Sequence, residues 1–327
     1  MNQKIQQDIL FDNKFQIEDD KRKDGRFYTE GNPFHHQQFQ KWADIAKIPK
    51  EKILEPFAGS NNLIKMLKSA NLCNQFKSYD ISPSDESVIQ KDTIRDFPKG
   101  FNVCVTNPPW LARNSATRRR LPYPKTKYDD MYKHCLDISL KNCGYVAALI
   151  PESFICSKQF LPRLDSFISL NQKMFSDTDH PVGLALFHPI ETRSKKVYFG
   201  NKLLGTLEEL KGYLPKNNKK FNVKFNTEDG NLGFIGLDNT KGRSIRFCDI
   251  EELKDYQVRH TSRVITKIKT ETPMDIKKAN EFIENFRNKT NDVFLTAYRG
   301  LRKDGMYRRR MDYALTRDII INTLSTQ

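Results

Sequence analysis

The sequence predicts an α/β protein, with a doubly wound parallel sheet in residues 1–190 and a smaller α+β domain in residues 191–327. Short apolar runs alternate with helical patterns through the first half, which is typical of a parallel sheet with crossover helices. Beyond about residue 190 the pattern changes to period-two stretches between turn sequences, which is typical of antiparallel hairpins. A chain of 327 residues has room for two domains of ordinary size.

The elements of the first domain follow from the spacing of its apolar residues. A strand is predicted from Lys52 to Pro56, and a helix from about Asn62 to Ala70 has Leu63, Met66 and Leu67 on one face. The other expected elements are strands over 76–80, 101–105, 145–150 and 182–187, and a helix over 128–141.

The second domain is predicted to begin with antiparallel hairpins over residues 221–248, turning at 229–230 and 239–242. Two helices are expected later, over residues 274–288 and 311–324. By count, residues 191–327 contain about 28 Lys and Arg against about 18 Asp and Glu, which is most of the net charge of +15. That excess favours a polyanionic partner, and nucleic acid fits better than a membrane because no basic amphipathic helix is evident.

Several features bound the location and chemistry of the protein. No apolar run approaches the roughly 20 residues that cross a bilayer. The first 20 residues are polar and mixed in charge, unlike a signal or transit peptide. The six cysteines form no C-x-x-C pair and have no metal-ligand spacing. We therefore expect a cytoplasmic protein without a metal site.

The turn between the first strand and the first helix is a candidate ligand cradle, because ligands bind at this edge of doubly wound sheets. Gly59 allows close backbone approach. Asp80 follows Glu55 by 25 positions and ends the next strand, as expected of an acid that binds ribose hydroxyls. Asp92 could accept a hydrogen bond from an adenine amino group. The remaining residues assigned to the cradle are Pro56, Phe57, Ala58 and Ile81.

Neither G-x-x-x-x-G-K-[ST] nor G-x-G-x-x-G occurs, so a phosphate-binding loop is not expected. Three carboxylates suit a ligand with a cationic amine and sugar hydroxyls, and S-adenosyl-L-methionine has both. Taken singly, Asp80 and Asp92 could also be ordinary loop acids.

Asn107-Pro108-Pro109-Trp110, just after the apolar run 101–105, is the most informative stretch of the chain. The paired prolines form a stiff segment that offers only acceptors, because proline has no backbone N–H. The Asn107 side-chain oxygen and the Pro108 carbonyl could accept both hydrogens of one NH2 group, and Trp110 could stack on a flat molecule. Asn-Pro and Pro-Pro are also common in turns, so the motif alone leaves an ordinary loop open.

Together, residues 54–62 and 107–110 resemble the N6-adenine DNA methyltransferases of type II restriction–modification systems. The order is gamma-like, with the cofactor motif first, the catalytic motif second and the DNA-recognition domain last. The resemblance covers about residues 20–190 and implies a Rossmann-like S-adenosylmethionine-dependent methyltransferase domain over 1–190. Residues 191–327 would then be the target-recognition domain.

The resemblance also assigns roles to single residues. Tyr28 and Thr29 match an N-terminal motif that packs against the methionine end of the cofactor, and Asn107 is expected to line the same site. Phe187 matches an aromatic that lies against the flipped base. Asn61 stands where a second glycine is common, and Trp110 replaces the more frequent Tyr or Phe.

Double-stranded DNA is the expected substrate, with a cognate restriction endonuclease as functional partner. Arg118 and Arg119 are interpreted as contacts to the DNA backbone, although a solvated loop fits the run 118–120 equally well. The run 308–310 has the same ambiguity.

Three alternatives remain open from the sequence. The first is an N4-cytosine DNA methyltransferase, although that class usually has Ser at the position of Asn107. The second is an RNA or protein-glutamine methyltransferase that shares the Asn-Pro-Pro-aromatic motif but usually lacks a large basic C-terminal domain. The third is a nucleic-acid-binding protein with a degenerate cofactor pocket.

Overall fold

A computed structural model describes residues 29–157, 159–170, 172–175, 180–217 and 219–327, except for the side chain of Arg299. The chain divides into two compact units. Unit 1 consists of the described parts of Met1–Pro151 and Gln159–Lys195, and unit 2 of those of Glu152–Lys158 and Lys196–Gln327. A single boundary at residue 190 therefore misses Glu152–Lys158, which belongs to unit 2 although it directly follows a strand of unit 1.

Unit 1 contains seven strands and four α-helices within its described residues. The strands are β1 (Lys52–Glu55), β2 (Gln75–Asp80), β3 (Ile89–Gln90), β4 (Val103–Thr106), β5 (Tyr145–Pro151), β6 (Leu164–Leu170) and β7 (Val182–Phe187). The helices are α1 (Gln37–Ile45), α2 (Asn62–Ser69), α3 (Arg113–Arg119) and α4 (Met131–Asn142).

These seven strands form one sheet in the order β3-β2-β1-β4-β5-β7-β6. The first five are mutually parallel, and β7 runs antiparallel to both of its neighbours. The chain order reverses between β1 and β4, which is where doubly wound sheets open a crevice at their carboxyl edge. The α/β, doubly wound fold that the sequence predicts is confirmed.

Local sequence explains the elements that build this crevice. Every residue of β4 and of β7 is buried, so both strands appear as continuous apolar runs rather than alternating ones. Helix α4 begins three residues later than predicted, because Asp130 serves as its N-cap and accepts a hydrogen bond from the backbone N–H of Tyr132 (3.4 Å). Strand β6 was not predicted.

Unit 2 contains eight strands and three α-helices within its described residues. The strands are β8 (Lys196–Phe199), β9 (Lys202–Thr206), β10 (Val223–Phe225), β11 (Leu232–Ile235), β12 (Arg246–Cys248), β13 (Ile265–Thr270), β14 (Thr296–Leu301) and β15 (Tyr307–Arg310). The helices are α5 (Leu207–Lys211), α6 (Ile276–Thr290) and α7 (Tyr313–Ser325).

The strands of unit 2 pair in three groups: the hairpin β8–β9, a four-stranded sheet and the ribbon β14–β15. The four-stranded sheet has the order β10-β13-β11-β12. The predicted hairpin between β11 and β12 is present, but the one between β10 and β11 is wrong, because β13 lies between them. The later strand supplies an alternating buried face of Thr266, Ile268 and Thr270.

The core of unit 2 packs the four-stranded sheet against α6 and α7, both of which the sequence predicts. Phe234 and Phe247 from the sheet join Phe286 of α6 and Ile319 of α7 in one buried cluster. Asp275 and Asp312 cap the two helices by accepting hydrogen bonds from the third helical N–H. Within the described part of the chain, no helix is long and apolar enough to span a membrane.

Candidate active site

The turn between β1 and α2 has a backbone that few residue types adopt. Gly59 has φ 51° and Asn61 has φ 60°, both in the left-handed region. Asn61, the residue that replaces a glycine, is 2% exposed and held on both ends of its amide. Its Oδ1 accepts a hydrogen bond from Ser78 Oγ (2.8 Å), and its Nδ2 donates to Ser87 Oγ (2.9 Å). These bonds fix the turn despite the missing glycine.

Asp80, at the end of β2, ties that turn to the next strand. One carboxylate oxygen accepts a hydrogen bond from the Gly59 N–H (2.9 Å), and the other accepts from the Ser82 N–H (2.8 Å). A carboxylate oxygen has two acceptor positions, so each oxygen retains capacity for a ligand hydroxyl.

Asp92 follows β3 and caps a short turn. Its Oδ1 accepts hydrogen bonds from the N–H groups of Ile94 (3.1 Å) and Arg95 (3.3 Å), and its Oδ2 lies 3.2 Å from Arg95 Nε. The neighbouring Thr93 donates from its hydroxyl to the carbonyl of Pro56 (2.8 Å). The third strand end is thereby attached to the turn after β1.

The ends of β1, β2, β3 and β4 surround one cavity. The predicted residues that line it are Thr29, Glu55, Phe57, Ala58, Gly59, Asp80, Ile81, Asp92, Asn107, Pro108 and Pro109. Asn62, Lys91 and Ile94 also line it and were missed by the sequence interpretation. Asn62 directly follows the turn after β1, and Lys91 and Ile94 flank Asp92 in the sequence, so these positions could have been predicted to line the cavity.

Some predicted site residues have other positions. Pro56 is buried and acts through its carbonyl, and neither Pro56 nor Trp110 is among the residues that line the cavity. Tyr28 lies outside the described residues. Thr29, which was predicted together with Tyr28, does line the cavity. Its carbonyl accepts a hydrogen bond from Asn62 Nδ2 (2.8 Å).

Glu55 is a carboxyl group buried at the wall of this cavity, with 1% exposure. Burial raises its pKa to about 8, although hydrogen bonds from the Thr106 hydroxyl (2.8 Å) and the Phe57 N–H (3.2 Å) act in the opposite direction. Both bonds go to Oε1, and within the described residues Oε2 has no hydrogen-bond partner. At pH 7 this side chain is therefore mostly a neutral acid, with one oxygen that a cationic ligand could engage.

Asn107 leaves the end of β4 at the cavity, with its amide held by the N-terminal segment. Its Nδ2 donates a hydrogen bond to Thr29 Oγ1 (3.2 Å), which fixes the orientation of the carboxamide. Pro108 is buried, and Pro109 is half-buried. The half-buried Trp110 packs edge to face with Phe175, with ring centroids 5.3 Å apart at 84°.

The prediction that Phe187 stacks on a substrate base is wrong for this structure. Phe187 is fully buried in β7, where it pairs with Val146 of β5 and Leu164 of β6. Its carbonyl accepts a hydrogen bond from Trp42 Nε1 (3.1 Å). A ring at 0% exposure has no face available for a base.

Arg118 and Arg119 lie in the last turn of α3, the short helix that begins three residues after Trp110. Both are exposed, and Arg120 ends the helix with φ 56°. Arg118 and Arg119 are thus helical rather than in a loop, and they place cationic groups close in sequence to the Asn-Pro-Pro-Trp motif.

No protein-family model matches the sequence, and no curated protein is significantly similar to it. The chain is similar to solved structures, three of which each cover about half of it. One is described as a class I S-adenosylmethionine-dependent methyltransferase of Listeria monocytogenes, with 12% identity, a TM-score of 0.39, and coverage of 50% of this chain and 64% of that chain.

Two others are described as restriction–modification proteins. The modification subunit of a type I restriction enzyme from Vibrio vulnificus has 12% identity, a TM-score of 0.38, and coverage of 54% of this chain and 47% of that chain. The type I methyltransferase subunit of Streptococcus thermophilus has 18% identity, a TM-score of 0.36 and the same coverages of 54% and 47%. The chain spans less than two thirds of the length of each of the three proteins. Such similarity assigns no activity, and the strand order of unit 1 is that of a doubly wound α/β sheet.

Proposed function

We propose that the protein is an S-adenosylmethionine-dependent DNA methyltransferase that modifies the exocyclic N6 of adenine. One observation carries the proposal: a single cavity at the strand ends is lined by residues of both predicted motifs. Glu55 and Asp80 come from the predicted cofactor site, and Asn107, Pro108 and Pro109 come from the predicted catalytic motif. Groups suited to hold a cationic nucleoside and groups suited to hold an NH2 group therefore line the same space.

The chemistry of the donor set fits S-adenosylmethionine. The unpartnered Oε2 of Glu55 suits a positively charged group, and the remaining acceptor positions of Asp80 suit a ribose hydroxyl pair. Ile81, at 55% exposure, offers an apolar surface for a flat base. Asp92 also lines the cavity, and its carboxylate would accept a hydrogen bond from an adenine amino group. Bound there, the cofactor would supply an electrophilic methyl group.

Asn107 and Pro108 would bind the target amino group. The adenine amino lone pair is delocalised into the ring, so the nitrogen is a weak nucleophile. Acceptors for both of its hydrogens favour the pyramidal nitrogen of the transition state, which is stabilisation aimed at where charge develops. The hydrogen bond from Asn107 Nδ2 to Thr29 supports this role, because it holds the amide in one orientation. Productive approach needs the reacting atoms at roughly 3–3.5 Å.

The target base must leave the duplex, which costs a few kcal/mol. Trp110, from the motif whose other three residues line the cavity, would stack on it, and such a contact contributes about 1–3 kcal/mol per base. With Phe187 buried, a partner ring for the second face of the base must come from elsewhere.

The proposal includes double-stranded DNA as substrate, the modification half of a restriction–modification system and a cognate endonuclease as functional partner. The net charge of +15 supports a nucleic-acid substrate. Arg118 and Arg119, both exposed, would contact DNA phosphates.

The test is incubation of the purified protein with unmodified genomic DNA and methyl-labelled S-adenosylmethionine, followed by single-molecule mapping of modified bases. N6-methyladenine at one recurring sequence is the expected product. N4-methylcytosine would instead identify the cytosine class, and label found only in RNA or protein would refute a DNA substrate.

Asn107→Ala is the matched control for this experiment. It should abolish transfer, while calorimetry shows cofactor affinity within about threefold of the wild type, because the NH2 acceptor is needed mainly in the transition state. Retained turnover in Asn107→Ala would refute the mechanism even if the wild type methylates adenine.

A further inference from the structure

The antiparallel ribbon β14–β15 divides the run Arg308-Arg309-Arg310 between its two faces. Its register pairs Thr296 with Arg310 and Tyr298 with Arg308. Side chains alternate between the faces of a strand, so Arg308 and Arg310 share one face with those partners, and Arg309 lies on the other. The same residue type thus has two different environments within three positions.

The inner face of the ribbon is fixed by buried charge pairs. Arg309, at 3% exposure, donates from both Nη atoms to the Glu152 carboxylate (2.7 and 3.2 Å). Asp238, at 0% exposure, accepts from the Arg309 N–H (3.1 Å) and from Arg302 Nη1 (2.9 Å). The Asp238 N–H in turn donates to the Arg309 carbonyl (2.9 Å). Bonds of this kind hold a binding element in one conformation before its partner arrives.

The outer face presents aromatic and cationic groups together. Tyr298 is 39% exposed. The Arg308 guanidinium lies 5.5 Å from the Tyr298 ring centroid, and its Nε donates to the Asp238 carbonyl (2.7 Å). Within the described residues, Arg310 has no ion pair, and its buried Nε has no hydrogen-bond partner. A buried donor without an acceptor is unusual, and a ligand or an ordered water would supply one.

We propose that the ribbon β14–β15 is the duplex-DNA-reading element of unit 2, with Arg308 and Arg310 as its contacts to base edges. This inference deepens the proposed function and rests on DNA being the substrate. The major groove of B-DNA, about 12 Å wide, admits a two-stranded ribbon, whereas the deep and narrow major groove of duplex RNA does not. Arginine presents two N–H groups that match guanine O6 and N7.

The shape of the ribbon suits such insertion. Its pairing shifts between Tyr298 and Leu301, and Gly300 lies in this bulge with φ 85°. Bulges bend a strand and increase its twist, which redirects the neighbouring side chains. Arg308 and Arg310 therefore lie on a bent ribbon whose opposite face is anchored.

The experiment compares full-length variants that lose the same charge. Arg308→Ala/Arg310→Ala is measured against Lys254→Ala/Arg259→Ala, which removes two exposed cations elsewhere on unit 2. Affinity for a mixed-sequence 30-base-pair duplex is titrated by fluorescence anisotropy at several salt concentrations. The ribbon variant should bind about 10- to 100-fold more weakly, and the control variant within about threefold of the wild type.

Arg308→Lys/Arg310→Lys adds a test of base reading. Lysine keeps the charge but loses the paired N–H geometry, so duplex affinity should stay within about threefold while methylation spreads to more sequences. Thermal melts report whether each variant is folded. If the alanine pair does not fold, Arg310→Ala alone decides, because Arg310 has no described ion pair to break.

The outcomes separate this inference from the proposed function. If the wild type methylates DNA but folded ribbon variants keep wild-type affinity and the same sites, the ribbon inference is overturned and the function stands. If the wild type binds duplex through the ribbon but methylates no DNA, the proposed function fails and the ribbon inference stands. Absence of any duplex binding by the wild type overturns both.

Discussion

Glu55 in unit 1 and Asp238 in unit 2 are both buried carboxyl groups, at 1% and 0% exposure, and their pKa values are shifted in opposite directions. Burial raises the pKa of Glu55 to about 8. Burial acts to raise the pKa of Asp238 too, but hydrogen bonds and charge from Arg287, with bonds from the Ser244 N–H and Arg302, bring it down to about 2. Burial alone therefore does not determine protonation; the neighbouring donors do.

The difference also separates a structural acid from a binding acid. Asp238 is surrounded by guanidinium groups of its own unit, 2.7 Å from Arg287 and 2.9 Å from Arg302. Glu55 has one oxygen without a partner among the described residues, at the wall of a cavity. A carboxyl group whose positive partner is not part of the protein is suited to a positive ligand.

The largest expected effect tests the structural acid. Asp238→Asn should lower the free energy of unfolding by about 3–5 kcal/mol, because it leaves Arg287 and Arg302 buried with less compensating charge. Urea denaturation followed by far-ultraviolet circular dichroism measures it. Asp229→Asn, whose side chain is 71% exposed, is the matched control and should stay within about 0.5 kcal/mol. A loss below about 1 kcal/mol at Asp238 would remove the contrast.

The second effect concerns stability against pH. Glu55 has a folded pKa of about 8 against an ordinary value of 4.5, so the folded state holds a proton that the unfolded state releases. The contribution of Glu55 is thus complete below about pH 4.5 and is lost as pH rises towards 8, by on the order of several kcal/mol. Glu55→Gln should flatten the fall in stability across that range. Equal slopes in the two proteins would contradict the burial effect.

The third effect concerns cofactor binding. A cationic ligand favours the ionised form of the Glu55 carboxyl group, so binding of S-adenosylmethionine should displace the Glu55 proton. The affinity for S-adenosylmethionine should therefore increase by up to about tenfold for each unit by which the pH rises towards 8. Calorimetry in buffers of different ionisation enthalpy measures the released proton. Glu55→Gln should bind about 10- to 100-fold more weakly and release fewer protons. A variant with wild-type affinity and proton release would show that Glu55 does not face the cofactor.

The smallest effect tests an exposed pair beside the same cavity. The Arg95 side chain is 88% exposed and lies 3.2 Å from Asp92. Arg95→Ala should change the free energy of unfolding by no more than about 0.5 kcal/mol, since water and salt screen such pairs. Thermal and urea denaturation at low and high salt would show it. If Arg95→Ala lost as much unfolding free energy as Asp238→Asn, exposure would not determine how much such an ion pair contributes to stability.

The sequence predicted the position of Glu55 at the site, but it gave no indication of the buried ion pairs of Asp238. Glu55 and Asp80 end strands, Asn107 directly follows one, and Gly59 lies in the turn after β1, so local pattern and the geometry of parallel sheets predict their convergence. The partners of Asp238, by contrast, are 49 and 64 positions away, and no local period connects them.

Long-range pairing explains the errors in the same way. Phe187 was placed against a base because its strand resembles the methyltransferase strand that carries such an aromatic, but every residue of β7, Phe187 included, is buried. The hairpin between β10 and β11 failed because β13, which comes later in the chain, pairs with both. Turn residues report where a chain reverses and do not report which strand fills the gap.

The segment Glu152–Lys158 gives the molecule an unusual connectivity. The backbone changes from one unit to the other three times, after Pro151, Lys158 and Lys195. A fragment ending at residue 190 would contain Glu152 without the arginine at 309 that neutralises it, and the complementary fragment would have the reverse deficit. Two separately produced halves should therefore be poorly soluble alone and become soluble when they are co-expressed.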